Sequence, residues 1–308
     1  MEHKTARRVL LILLGTIFLG SACFLGYRLY QYKEAESIYK EAEELIDLPD
    51  IPNLLEPAEP KDPQPQESLT PSAPPEDTTP EKPDAGGTEE PTGSEEPPKE
   101  DPQKEDPPKE EKPVEDPYEQ ALRKMDFRAL QEVNEDVFGW IHIPYTQLSY
   151  PMVQGEDNEY YLNHTWKKTY SSVGAIFLEQ YCSRDLSDFN TIVYGHRMQD
   201  GSMFASLRFY NDISHWQKNP KVYVWDNNGG YIYEIFSAYE AGLTDPTYRI
   251  GFASDEQKQE FLDFCISKSV IETGITPTVN DQILTLSTCT GRGHDTRWVV
   301  QAVKWGAK

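Results

Sequence analysis

The stretch that decides the fold is "DQILTLSTCTGRGHDTRWVVQAVKW", residues 281–305. It holds two strand-like runs joined by a short loop rich in glycine. In the first run, period-two alternation puts Ile283, Thr285, Ser287 and Cys289 on one face and Leu284, Leu286 and Thr288 on the other. After the loop Thr290–Thr296, Arg297 opens the second run. If the two runs pair as an antiparallel hairpin, Cys289 and Arg297 stand nearly opposite, on one face, with Cβ atoms about 5 Å apart. A guanidinium so placed can favour a thiolate. It can also donate hydrogen bonds to an oxyanion on an acyl carbon that the sulfur attacks. The bland alternative is a structural cysteine beside a solvated arginine.

The same strand character recurs upstream in "GWIHIP", "GAIFLEQ", "NTIVYGH", "KVYVWD" and "GGYIYEIFSAYEA". These runs are rich in Val, Ile, Tyr, Phe and Trp and end at Gly, Asn, Asp or Pro. One helix interrupts them, "SDEQKQEFLDFCISKSV", with Ser254 as N-cap and Phe261, Leu262, Phe264 and Cys265 as its buried side. A second amphipathic helix is expected early in this region, with Leu122, Met125, Phe127, Leu130 and Val133 on its apolar side. Many short strands with few helices predict a mainly β fold, a barrel with helical decoration, over residues 118–308.

Outside this region the chain changes character. Residues 1–8 carry Lys4, Arg7 and Arg8, and Val9 to Tyr27 is an uncharged apolar run. As a helix that run is about 28 Å long, close to the hydrocarbon thickness of a bilayer. The preceding positive charges favour a cytoplasmic N-terminus and an extracellular remainder. A cleavable signal peptide, or lipid attachment at Cys23, would use the same segment. The apolar run continues past Cys23, which favours an uncleaved single-pass anchor. Residues 28–47 read as a solvated juxtamembrane helix, with Leu29, Tyr32, Ile38, Leu45 and Ile46 loosely spaced among charges.

Residues 48–117 hold 19 of the 24 prolines, no aromatic residue, and 21 Asp and Glu against 6 Lys. Such a segment cannot bury enough apolar surface to offset its ordering entropy, so a disordered, extended spacer is expected. It also carries most of the formal net charge of −23. The region after it is only mildly acidic, and no basic stripe points to nucleic acid. Of the four cysteines, Cys182, Cys265 and Cys289 follow the apolar run; an odd number leaves at least one thiol unpaired within the chain.

A thiol nucleophile needs a proton acceptor and donor, usually histidine. His142 lies within a strand run, His164 and His215 carry no further cue, and His294 sits in the hairpin loop. His196 follows a strand and a glycine in "NTIVYGHRMQDGSMFASLRFY", which places an imidazole at the rim of a sheet.

The combination of "TLSTC", a following strand that opens with Arg, and the distant "YGH" resembles the sortases, cysteine transpeptidases of Gram-positive surfaces. The likeness extends to "VNEDVFGWIHIP", "YPMVQGEDNEYYLNHTW" and "GAIFLEQ", and so across 118–308. The N-terminal helices, the "GSMFASLRFY" segment and the helix near 254–268 are similar to class B in particular. The resemblance implies a closed sortase β-barrel with Cys289 as nucleophile, His196 as general acid/base and Arg297 as oxyanion stabiliser. Ser287 matches a position that lines the substrate groove. The implied reaction cleaves a C-terminal sorting signal through a thioacyl-enzyme and passes the protein to an amine of a cell-wall precursor. Pilin polymerisation, simple hydrolysis and an inactive wall-binding barrel are the alternatives. No metal cluster is evident and no cofactor is expected. One departure stands out: Thr290 and Gly291 follow the cysteine where class B enzymes often carry an acid, and Arg292 offers a second arginine. Strand pairing fixes the direction of Arg297, which makes it the preferred candidate.

Overall fold

The computed structural model describes residues 2–46, 125–226, 228–289 and 295–305. Eight strands close into a barrel: β1 (Val137–His142), β2 (Ser149–Val153), β3 (Ile176–Leu178), β4 (Asn190–Tyr194), β5 (Lys221–Asp226), β6 (Gly229–Gly242), β7 (Ile283–Cys289) and β8 (Thr296–Lys304). Their order around the barrel is β1-β2-β3-β4-β7-β8-β6-β5. The β2–β3 and β4–β7 pairs are parallel and the rest antiparallel. The expected hairpin is present as β7–β8, with Cys289 opposite Arg297.

Both faces of that hairpin are covered, for different reasons. Leu284, Leu286, Val300 and Ala302 point into the main core with Trp140, Ile235 and Tyr233. Ile283, Val299 and Val303 point outward and join a second cluster with Phe261, Leu262 and Cys265. Those last three lie on the helix Asp255–Lys268, so Cys265 serves as a small core residue. The N-cap expected at Ser254 forms: its hydroxyl accepts from Gln257 N at 3.5 Å.

Three expectations need correction. β2 is not among the strands expected from the sequence. β3 covers only Met152 and Val153 of β2, so Pro151 sits at an edge, where a missing N–H is tolerated. Among the described residues the early amphipathic helix runs over Arg128–Val133 only, with Met125 to Phe127 outside it. Phe127 and Leu130 are buried there, but Val133 is 47% exposed, and Leu122 lies outside the described residues.

The third correction concerns residues 28–46, which are not a solvated stalk. They continue the apolar run without a break as a single helix, α1 (Glu2–Leu45), and pack against the barrel. The buried stripe is Gln31, Ala35, Tyr39, Ala42 and Ile46, a spacing of four, four, three and four that forms one helical face. Small alanines let the helix approach closely. Tyr39 donates its hydroxyl to Gly174 O at 2.6 Å, and Trp166 Nε1 donates to Ile38 O at 3.0 Å. Leu10–Leu45 contains a segment of mean hydropathy 2.1, long and apolar enough to cross a membrane. The acidic proline-rich tract 48–117 lies outside the described residues.

Candidate active site

The site is built from the ends of three adjacent strands. In the parallel β4–β7 pair Tyr194 lies opposite Ser287, and Gly195 N donates to Ser287 O at 3.2 Å just past the end of β4. His196 follows directly, and it borders the same cavity as Ser287, Thr288 and Arg297. On the other side of β7, Arg297 is the partner of Cys289. The backbone therefore brings together the three residues the sequence singled out, with the cysteine position between the imidazole and the guanidinium.

Why a glycine precedes the histidine is a matter of space. A Cβ at Gly195 would lie 2.5 Å from Ile176 Cδ1 and 2.8 Å from the Phe204 ring, so this turn admits no side chain. The chain then folds back: Phe204 N donates to His196 O at 2.9 Å, and Met203 N donates to the Tyr150 hydroxyl at 3.0 Å. Met203 is buried with φ of 56°, a conformation that side chains avoid unless packing holds it.

His196 is half-buried, and its Nε2 lies 2.6 Å from Leu162 O. A carbonyl only accepts, so Nε2 carries the hydrogen. Gly174 makes this possible, since a Cβ there would meet Leu162 O at 2.7 Å and His196 Cδ2 at 3.0 Å. Arg297 is also half-buried, with Nη1 donating to Thr296 O at 3.0 Å.

His196 and Arg297 border one cavity of ≈ 320 Å³, whose walls include Asn158, Leu162, Tyr194, Leu243, Tyr248 and Ser287. Ser287 is buried, and its hydroxyl lies 3.0 Å from that of Tyr248. The rings of Tyr248 and Tyr194 stack at 6.5 Å. Beneath them Glu179, buried at 5% exposure, accepts from Asn158 Nδ2 at 2.6 Å and from the Tyr194 hydroxyl at 2.9 Å. Burial first, and the Glu179 carboxylate second, push the Tyr194 phenol well above its ordinary value, so it remains a donor. Sequence reasoning missed Asn158, Glu179 and Tyr248. Tyr194 was within reach, because it shares a strand face with His196 two residues on.

Two further thiols and three further histidines are buried or stacked elsewhere. Burial pushes the thiols of Cys182 and Cys265 up to about 11, so both stay protonated near neutral pH, and neither is in a disulfide. His142 is buried in β1, and burial holds its imidazole down to about 4. His164 stacks on Tyr160 at 4.0 Å, and His215 meets the Tyr210 ring edge at 4.7 Å. Arg292 and His294 lie outside the described residues. Among the described residues no group of three or more His, Cys, Asp and Glu could hold a metal ion.

Residues 141–305 match the family described as the sortase domain. The chain belongs to the sortase family, class B. Sortase B of Staphylococcus aureus is 38% identical over 164 residues, covering 53% of this chain and 67% of that protein. Sortase B of Listeria monocytogenes is 37% identical over 165 residues, covering 53% and 67%. Among solved structures, the Staphylococcus aureus sortase B–substrate complex superposes with a TM-score of 0.56 at 35% identity, covering 59% of this chain and 85% of that one. The sortase is therefore a cysteine transpeptidase of the cell-surface type, and the strand-end cavity is its candidate active site.

Proposed function

We propose that this sortase cleaves a C-terminal sorting signal and transfers the new carboxyl end to an amine of a cell-wall precursor. Cys289 is the nucleophile. Its sulfur attacks the scissile peptide carbonyl, and the Arg297 guanidinium donates to the oxygen that becomes negative. His196 takes the thiol proton at Nδ1 and returns it to the departing amine, leaving a thioester on Cys289. An acceptor amine then attacks the thioester, loses a proton to His196, and the thiol is regenerated. Ser287 and Tyr248 form part of the wall against which the signal peptide lies. The observation that supports this reading is that Cys289 faces Arg297 across β7–β8, at the strand end where His196 and Arg297 border one cavity.

In this reading α1 is a single-pass anchor with its N-terminus in the cytoplasm and the barrel outside, in keeping with Lys4, Arg7 and Arg8 ahead of the apolar run. The test is intact-mass analysis of the full chain in detergent with a panel of sorting-signal peptides, with and without triglycine or a diaminopimelate-bearing amine. The expected result is a peptide adduct that maps to Cys289 and disappears faster when amine is present. Cleavage that ignores the amine, or that persists in Cys289→Ala, overturns the proposal.

A further inference from the structure

The cavity between α1 and the barrel, the Tyr160–His164–Tyr170 cluster and the height of the barrel on α1 are features that the reaction does not account for. The last two combine. We propose that the edge of the barrel at Tyr170–Ser172 rests in the headgroup layer of the bilayer that α1 spans, so that the active-site cavity opens toward the lipid surface. This rests on the reading of α1 as a membrane anchor.

The uncharged run ends at Tyr27, and α1 continues without interruption to Leu45. It contains no proline. Four residues past Tyr27, Gln31 Oε1 accepts from Ser172 Oγ at 3.0 Å. Four residues of helix rise about 6 Å, which is roughly the depth of one headgroup layer, half the difference between about 30 and 40–45 Å. Ser172 is thus at lipid-headgroup height. The contacts higher on the helix prevent the barrel from tilting away: Trp166 on Ile38, Gly174 on Tyr39, and Lys167 on Glu41 at 2.7 Å.

The surface beside Ser172 has the composition that an interface favours. Tyr170, two residues away, is 63% exposed, and Leu162 is 42% exposed. Tyr170 meets the edge of His164 at 5.7 Å, and His164 stacks on Tyr160, so the exposed rings form one platform. Tyrosine, apolar in its ring and polar at its tip, is enriched at this depth of a membrane. Leu162 belongs to both the platform and the active site, because its carbonyl holds His196 and it borders the cavity.

The full chain is placed in nanodiscs, one copy per disc, with acyl chains brominated just below the headgroups or left unbrominated. The extra tryptophan emission of Tyr170→Trp over the unmodified chain is compared between the two. Loss of half or more of that increment in brominated discs is expected. An increment quenched equally in both discs overturns the proposal. Carbonate washing of cell membranes that carry the full chain keeps the two readings apart. Retention of the chain with no bromine effect removes the rim contact and leaves the anchor. Release of the chain removes the anchor, and the rim proposal with it.

Discussion

Glu179→Ala removes the acceptor on which one wall of the active site depends. Asn158 Nδ2 and the Tyr194 hydroxyl converge on a single oxygen, Oε2, at 2.6 and 2.9 Å. A hydrogen bond to a charged group contributes about 1.5–3 kcal/mol, and a stranded buried donor costs about 1–3 kcal/mol. Both donors border an open cavity that water can enter, so the low end applies, and Glu179→Ala should cost about 2–3 kcal/mol of stability. Neither Asn158 nor Tyr194 is assigned a step in the reaction, so KM should rise several-fold while kcat changes less. Glu179→Gln is the discriminating variant. Because both bonds end on one oxygen, an amide can keep both with its Oε1 and should preserve most of the stability and KM. The assay pairs urea denaturation of the full chain in detergent with initial rates on a sorting-signal peptide. If Glu179→Gln is as damaging as Glu179→Ala, the negative charge matters and the acceptor position does not. If Glu179→Ala leaves both readouts unchanged, the network has no role.

Arg297→Ala should slow thioacyl formation by about 10²–10³, the usual effect of losing one oxyanion donor. Single-turnover adduct formation measures this; equal loss in Arg292→Ala with none in Arg297→Ala would reassign the role. His142 should make the fold acid-sensitive, since burial holds its imidazole down to about 4 against an ordinary 6.5. Below pH 6.5 the unfolded chain takes up a proton that the folded chain refuses until about pH 4. Stability present above 6.5 is therefore lost between 6.5 and 4, by about 3 kcal/mol at most. His142→Gln should flatten that part of a urea-midpoint profile against pH, and an unchanged slope would assign the acid sensitivity to other groups.

The hairpin that places Cys289 opposite Arg297 was legible because it is local: alternation, a short loop and a strand that opens on arginine fix its register. His196 was legible for a related reason, since a strand that ends in Gly-His presents the imidazole at the sheet rim. The docking of α1 was hidden by its own stripe. Gln31, Ala35, Tyr39 and Ala42 are not a hydrophobic set by composition, while Leu29 and Leu45, which are, remain on the exposed side. Asn158, Glu179 and Tyr248 were beyond local reasoning altogether. They come from segments far apart in the chain and meet only once the barrel is closed, and no pattern within a window of residues encodes that meeting.

Acyl transfer through a thioester needs three groups held at fixed separation around a carbon, and loops hold such groups less rigidly than strands. In the proposed assignment, Cys289 and Arg297 are paired on neighbouring strands of one ladder, where the spacing is about 4.8 Å by construction, and His196 follows two residues after the end of β4. The ladder continues below each group: Tyr194 opposite Ser287, Val193 opposite Leu286, and Val299 opposite Ser287 on the far side. A shift of β7 by one residue would break the pairing of Cys289 with Arg297 and turn Leu284 and Leu286 out of the core. The register that keeps the barrel packed is thus the register that sets Cys289 opposite Arg297. The same economy applies to α1. Its docked half closes one side of the barrel with Ala35, Tyr39 and Ala42, and in doing so fixes the distance from the apolar run to the active site before the proline-rich tract begins. The reach of that tract therefore does not set how far the catalytic groove stands from the end of the apolar run.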